Sequence, residues 1–241
     1  MPTQPSPLAP LAAAHGIELD ALALERFAAY LAFLAEQNKR QNLTAITEPE
    51  EAARKHFLDS LLLLPWLEPA PGSSLLDVGA GAGFPGVPVA IARPDMPVTL
   101  LESNGKKARF LRELVGILTM SNIDVICARA EDAARNPALR EAFDVVAARG
   151  VASLPVLCEL CLPFAKAGGR FAAMKGNPAA AREELYAAKG AARLLGGGGS
   201  AVLGPGVPLD YGERCCVVIE KITQTPAKYP RSYGSILKKS L

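Results

Sequence analysis

Residues 75–92, LLDVGAGAGFPGVPVAIA, run from an apolar strand through a turn carrying Gly79, Gly81, Gly83 and Gly86 into a helix containing Val89 and Ile91. Glycine tolerates positive φ and lets backbone approach a ligand closely. In α/β proteins such a turn lies at the carboxyl edge of a parallel sheet, where ligands bind. The stretch therefore predicts an α/β fold and a nucleotide-like ligand on the turn.

Downstream, short apolar segments alternate with helical ones, the pattern of a parallel sheet with crossover helices. Strands are expected at 74–78, 98–102, 124–128, 143–148 and 169–174, with a last helix at Ala179–Leu195. The run Gly196–Gly199 reads as a flexible helix-to-strand loop. AVLGPGV (201–207) and ERCCVVIEKI (213–222) read as an antiparallel edge hairpin, which brings the sheet to seven strands, and KYPRSYGSILKKSL closes the chain as a basic tail. Upstream, Leu22, Leu24, Phe27, Tyr30, Leu31 and Leu34 recur at helical spacing between Asp20 and Lys39, and a second helix is expected over Glu50–Leu64. Thr47 is placed to cap that helix, Pro49 suits its first turn, and Glu48, Glu50 and Glu51 complement its dipole. Residues 1–70 thus form a helical extension, and 71–241 the α/β domain with its tail.

Half of the 241 residues are hydrophobic and 21% are charged, the balance of a folded globular chain. A net charge of +2 neither demands nor excludes nucleic acid. Local clusters bear on that question: Lys39, Arg40, Arg54 and Lys55; Lys106, Lys107, Arg109 and Arg112; Lys228, Arg231, Lys238 and Lys239. Each is also compatible with a solvated face. The first residues carry no secretion signal, Pro5, Pro7 and Pro10 are expected to prevent a helix there, and the longest apolar run is broken by Glu159. A cytoplasmic protein with no membrane span is expected; its oligomeric state is not legible in the sequence, with a monomer as the default. The five cysteines offer no disulfide framework, and Cys158 and Cys161, a CxxC in apolar surroundings, read as core thiols. Cys215 and Cys216 adjoin in a strand and point to opposite faces. His15 and His56 are too few for a metal site, and His56 reads as a packed polar residue.

Glu102, at the end of the second strand, is the acidic residue expected roughly 20 positions beyond a glycine turn, where a ribose diol accounts for it. It fits a dinucleotide or S-adenosylmethionine equally. Two details favour the methyl donor: the turn is GxGxG and not GxGxxG, and Asp77 just before it would repel pyrophosphate but receive an amino group. The plain alternatives are a strand-end cap for Asp77, a solvated turn residue for Glu102 and an acidic helix start for Ala130 and Glu131.

GAGAGFPGVP, ESNGKKARFLRE, CARAED, FDVVAARGVASL and AMKG, with NKRQNLTAI and KHFLDSL upstream and KYPR and a later KK in the tail, resemble the ribosomal RNA small-subunit methyltransferase G family, formerly glucose-inhibited division protein B. The resemblance covers most of the chain. It implies a Rossmann-like class I methyltransferase with a mostly parallel seven-stranded sheet and an N-terminal helical extension. The implied cofactor is S-adenosylmethionine, and the implied reaction is guanine N7 methylation in the 530 loop of 16S ribosomal RNA, on the small subunit or an assembly intermediate. Donor contacts carry over to Gly79, Phe84, Ala130, Glu131 and Arg149, beside Asp77, Gly81, Gly83 and Glu102 from the turn itself. The family's functional basic positions fall on Arg129, Arg149, Lys175 and Arg214. The chain departs from the family pattern in Glu102 for the more common Asp, in AARG for SRA and in lacking a proline after KK.

Guanine N7 carries a lone pair and no proton, so its methylation requires position and electrostatics, not a general base. On this reading Arg149 holds the guanine through O6 or its face and Lys175 orients a phosphate or the base edge. An ordinary ion pair is the plain alternative for each. Other acceptors, small molecule or protein, and a non-catalytic nucleotide-binding regulator remain open at this level, as does a dehydrogenase.

Overall fold

A computed structural model describes residues 7–46, 48–204 and 209–241. Seven strands form one sheet in the order β3-β2-β1-β4-β5-β7-β6: β1 Leu75–Val78, β2 Val98–Glu102, β3 Ile123–Cys127, β4 Phe143–Arg149, β5 Ala165–Lys175, β6 Gly197–Leu203 and β7 Cys215–Lys221. The first five are mutually parallel, whereas β7 runs antiparallel to both β5 and β6. The chain order reverses between β2 and β4, on either side of β1, which is where a doubly wound sheet opens a ligand crevice.

Period-2 alternation divides the apolar residues between two faces. Leu75, Leu100, Val145, Ala172 and Cys216 join one core cluster; Leu76, Leu101, Val146, Ala173 and Cys215 join the other. The adjoining cysteines thus point apart as expected. The first face is covered by α1 Leu8–Ala13, α2 Ala21–Gln41, α6 Gly86–Ala92 and α7 Gly105–Ile117, and by the 49–67 segment. The second is covered by α8 Ala130–Ala133, α9 Leu154–Cys161, α10 Pro178–Leu194 and α11 Tyr233–Lys238. Cys158 and Cys161 are buried on α9, and burial pushes the Cys158 thiol up to about 12, so both are core thiols.

Three local expectations are corrected. Pro10 does not prevent a helix: it is the third residue of α1, in the first turn, where its missing N–H has no intrahelical partner to lose. The helix expected over Glu50–Leu64 is divided into α3 Pro49–Ala52, a π-helical turn Ala53–Leu58, α4 Asp59–Leu61 and α5 Leu63–Leu67. Pro49 occupies its first turn, and Thr47 lies outside the described residues. The glycine run is not a loop, because Gly197–Gly199 already belong to β6. A Cβ on Gly196 would lie 2.1 Å from the Thr223 carbonyl, and one on Gly197 2.8 Å from that of Ala192, so close packing at the end of α10 demands glycine.

Candidate active site

The glycine turn sits at the carboxyl end of β1. Gly79, Gly81 and Gly83 have φ of 76°, 60° and 104°. Around it opens a cleft of about 260 Å³ whose walls include Gly79, Gly81, Glu102, Ala130, Glu131 and Tyr233. Glu102 is buried on its floor, Oε2 accepting from the Gly81 amide at 2.9 Å and Oε1 from the Asn104 amide at 2.7 Å. Each carboxylate oxygen keeps a lone pair for a ligand hydroxyl. Room over the turn is preserved because a Cβ on Gly81 would meet nothing nearer than the Gly79 carbonyl at 3.8 Å.

Asp77 lies behind the turn and outside this cleft. It is fully buried, its Oδ2 accepts from the Gly86 amide at 2.8 Å, and Oδ1 has no partner. Burial pushes its carboxyl up to about 7. The strand-end capping role is therefore the one this geometry presents. Gly83 is committed elsewhere too, since a Cβ there would lie 2.7 Å from the Tyr30 hydroxyl. Phe84 faces the extension, with ring centroids 4.5 Å from His56 and 5.4 Å from Tyr30, both stacked. Tyr30 donates its hydroxyl hydrogen to the Ala82 carbonyl, so α2 grips the glycine turn directly. His56 bonds Thr44 Oγ1 through Nε2 at 2.6 Å, and burial lowers it to about 4, which makes it a neutral packed residue as expected.

A second recess, about 290 Å³, adjoins the cleft at Gly150, which lines both. Its walls hold Asp59, Trp66, Arg149, Met174, Lys175 and Arg214. Asp59 organises it: Arg149 Nε lies 3.1 Å from Oδ2 and Arg214 Nε 2.8 Å from Oδ1. Burial raises the Asp59 carboxyl, and the two guanidiniums oppose that shift. Arg149 also donates to the Lys55 carbonyl at 2.7 Å and to Ser60 Oγ at 3.3 Å. A π turn frees carbonyls from the i−4 ladder, and this one presents Lys55 O to the arginine. Lys175 pairs with Glu184 at 2.8 Å and donates to the Ala152 carbonyl at 3.2 Å. Both basic residues thus make ion pairs while still facing the recess. Cys215 lines it as well, but burial pushes its thiol up, away from nucleophilic thiolate.

The expected residues therefore separate. Gly79, Gly81, Glu102, Ala130, Glu131 and Arg129 meet in the cleft; Arg149, Lys175 and Arg214 meet in the recess; Asp77, Gly83 and Phe84 support the turn from behind. Arg129 belongs with the first group, its Nε 3.1 Å from Glu131 and its guanidinium 4.2 Å over the Tyr233 ring. Two further residues join the site without a sequence signal of their own. Asp59 is marked only by its place in KHFLDSL, and Tyr233 lies in a tail whose legible feature is charge. That tail is fastened: Arg231 makes hydrogen bonds of 2.9 and 2.6 Å to the buried Glu159, Arg135 donates to Pro230 O at 2.7 Å, and Ile236 is buried.

The fold is that of the class I S-adenosylmethionine-dependent methyltransferases. A chain from Methanococcus maripaludis, whose description is "putative S-adenosyl-L-methionine-dependent methyltransferase", superposes with a TM-score of 0.55 at 13% identity, covering 80% of this chain and 93% of its own. One from Agrobacterium tumefaciens, whose description is "a predicted O-methyltransferase", gives 0.53 at 21% identity, covering 69% and 84%. The family model for rRNA small subunit methyltransferase G matches residues 23–202, and the chain belongs to that family. Among its relatives, the ribosomal RNA small subunit methyltransferase G of Pelotomaculum thermopropionicum is 47% identical over 94% of each chain. That of Acetivibrio thermocellus is 44% identical over 95% of this chain and 93% of its own. Family and fold together make the protein an S-adenosylmethionine-dependent methyltransferase. Among the described residues no helix is long and apolar enough to cross a membrane, and no group of His, Cys, Asp and Glu is placed to hold a metal.

Proposed function

We propose that the protein transfers a methyl group to N7 of a guanine in the 530 loop of 16S ribosomal RNA. On this reading it works in the cytoplasm as a monomer, on the small ribosomal subunit or an assembly intermediate. The observation that supports this best is the meeting of two unlike recesses at Gly150, at the carboxyl edge of β1 and β4. One has an acidic floor and a glycine turn; the other is walled by three cations.

S-adenosylmethionine bound in the cleft supplies an electrophilic methyl carried on a sulfonium. Glu102 would hold its ribose hydroxyls, the Gly79 to Gly81 backbone would pass beneath it, and Ala130, Glu131 and Tyr233 would enclose the remainder. Among the described residues the recess holds no group suited to remove a proton: its titratable members are three cations, a carboxylate between two arginines, and a thiol kept neutral by burial. An acceptor atom that carries a lone pair and no proton suits such a site. Arg149 and Arg214 would bind the guanine around O6 and its phosphate, with Lys175 on the base edge. Product N7-methylguanine is cationic, and Asp59 and Glu184 keep the surrounding positive charge from opposing it.

The test uses methyl-labelled S-adenosylmethionine with small subunits, or their RNA, from cells lacking this gene. Label on one guanine N7 is expected. Label on a different base, a protein or a small molecule would replace this acceptor, and cofactor binding without transfer would favour a regulatory role.

A further inference from the structure

Beyond the cleft and the recess, Arg40 of one basic cluster meets three cations of another, far off in sequence, in one groove. Arg40 and Asn42, at the end of α2, face Asn104, Lys106, Lys107 and Arg109 at the start of α7 across a cavity of about 360 Å³. Among the described residues no carboxylate lines it. Among the described residues none of these four cations has a carboxylate within ion-pair distance, although Lys39, Arg54, Lys55, Arg93 and Arg129 all do. Arg40, Lys106 and Arg109 are exposed.

Their placement is unfavourable for the fold. Lys106 and Lys107 occupy the first turn of α7, at the positive end of its dipole, where a cation is disfavoured. Asn104 Oδ1 caps the amides of both, at 2.9 and 3.3 Å, so the helix end is already formed without an acidic residue. Clustered cations against a helix dipole are relieved by one class of partner, an anion.

We infer that this groove binds the phosphodiester backbone of the RNA substrate. The inference rests on the reading of the protein as an RNA methyltransferase and adds where the strand runs. Lys107 lines both the groove and the cofactor cleft, so a strand held here leads toward the methyl-transfer edge. Groove and recess would thus contact the RNA at separate points, one reading charge and the other holding the base.

The experiment compares wild type with Lys106→Glu/Arg109→Glu on 16S RNA and small subunits lacking the modification. A second variant, Arg40→Glu, alters the opposite wall. KM for RNA is expected to rise about tenfold at moderate salt, with kcat and S-adenosylmethionine binding by calorimetry held within about twofold. The slope of log affinity against log salt should fall by about 1.4 in the double variant, about 0.7 for each phosphate released. Unchanged KM and slope in both variants would overturn the groove, as would loss of cofactor binding with no specific loss of RNA affinity. Failure of wild type itself to methylate ribosomal RNA would instead overturn the proposed function.

Discussion

Replacing Asp59 by asparagine tests how the extension governs the basic recess. The Asp59 side chain is 4% exposed and stands between Arg149 Nε at 3.1 Å and Arg214 Nε at 2.8 Å. At an effective dielectric of ~20, each contact is worth about 5 kcal/mol of Coulomb attraction, most of it offset by taking the carboxylate out of water. Removing one partner of such a buried pair costs roughly 3–5 kcal/mol, because the remaining charge is left uncompensated. Both arginines are about one-quarter exposed or less, at 21% and 24%, so water relieves part of this. The lower end, about 3 kcal/mol, is expected in urea unfolding. With both guanidiniums released, kcat should fall more than KM for S-adenosylmethionine rises, and Asp59→Glu should recover part of the activity. An Asp59→Asn protein less than about 1 kcal/mol destabilised, with unaltered kcat, would refute the idea that Asp59 positions the two arginines.

Further expectations concern the turn, the tail and pH. Gly83→Ala, at φ 104° with its new Cβ 2.7 Å from the Tyr30 hydroxyl, should lose about 2–3 kcal/mol of stability and weaken cofactor binding, measured by denaturation and calorimetry. Tyr233→Ala removes the ring under Arg129 and one wall of the cleft; a loss of about 1 kcal/mol, roughly fivefold in Kd for S-adenosylmethionine, is expected, whereas unchanged affinity would place Tyr233 outside the site. His56 is lowered to about 4 from an ordinary 6.5, so the unfolded chain binds the extra proton between those values. Its contribution to stability is present above pH 6.5 and is lost as pH falls toward 4, by up to about 3 kcal/mol. Asp77, raised to about 7 from 3.8, acts oppositely, favouring the fold at low pH and losing that contribution as pH rises through the same region. Comparison of wild type with His56→Gln across pH 4 to 6.5 isolates the histidine, since Asp77 is common to both; parallel stability curves would contradict its buried, neutral state.

Much of this was legible because it is locally encoded. Strand alternation divided Cys215 from Cys216 and Leu75 from Leu76 between two faces, and the turn could be read because positive φ at Gly79, Gly81 and Gly83 requires glycine. What escaped depends on long-range pairing. Asp59, Arg149 and Arg214 are brought together only by the sheet and the π turn, and only its place in KHFLDSL, and no feature of charge or spacing, marks Asp59. Tyr233 reaches the cleft because Arg231 is fastened to Glu159, a residue whose local surroundings are wholly apolar. Phe84 follows the turn glycines in sequence but turns toward His56 and Tyr30, because the extension offers it an aromatic stack. The run Gly196–Gly199 resembled a linker in composition, and only the approach of Thr223 and Ala192 reveals why side chains are excluded there.

On the proposed function, the acidic-floored cleft and the cationic recess are donor and acceptor halves of one site. Arg149→Ala and Glu102→Ala, each assayed for S-adenosylmethionine binding and for methyl transfer to small subunits lacking the modification, separate the halves most directly. Glu102→Ala is expected to lose cofactor affinity, and Arg149→Ala to keep the cofactor and lose transfer to the guanine. Full turnover by Arg149→Ala, on RNA whose guanine N7 is still the modified atom, would contradict it.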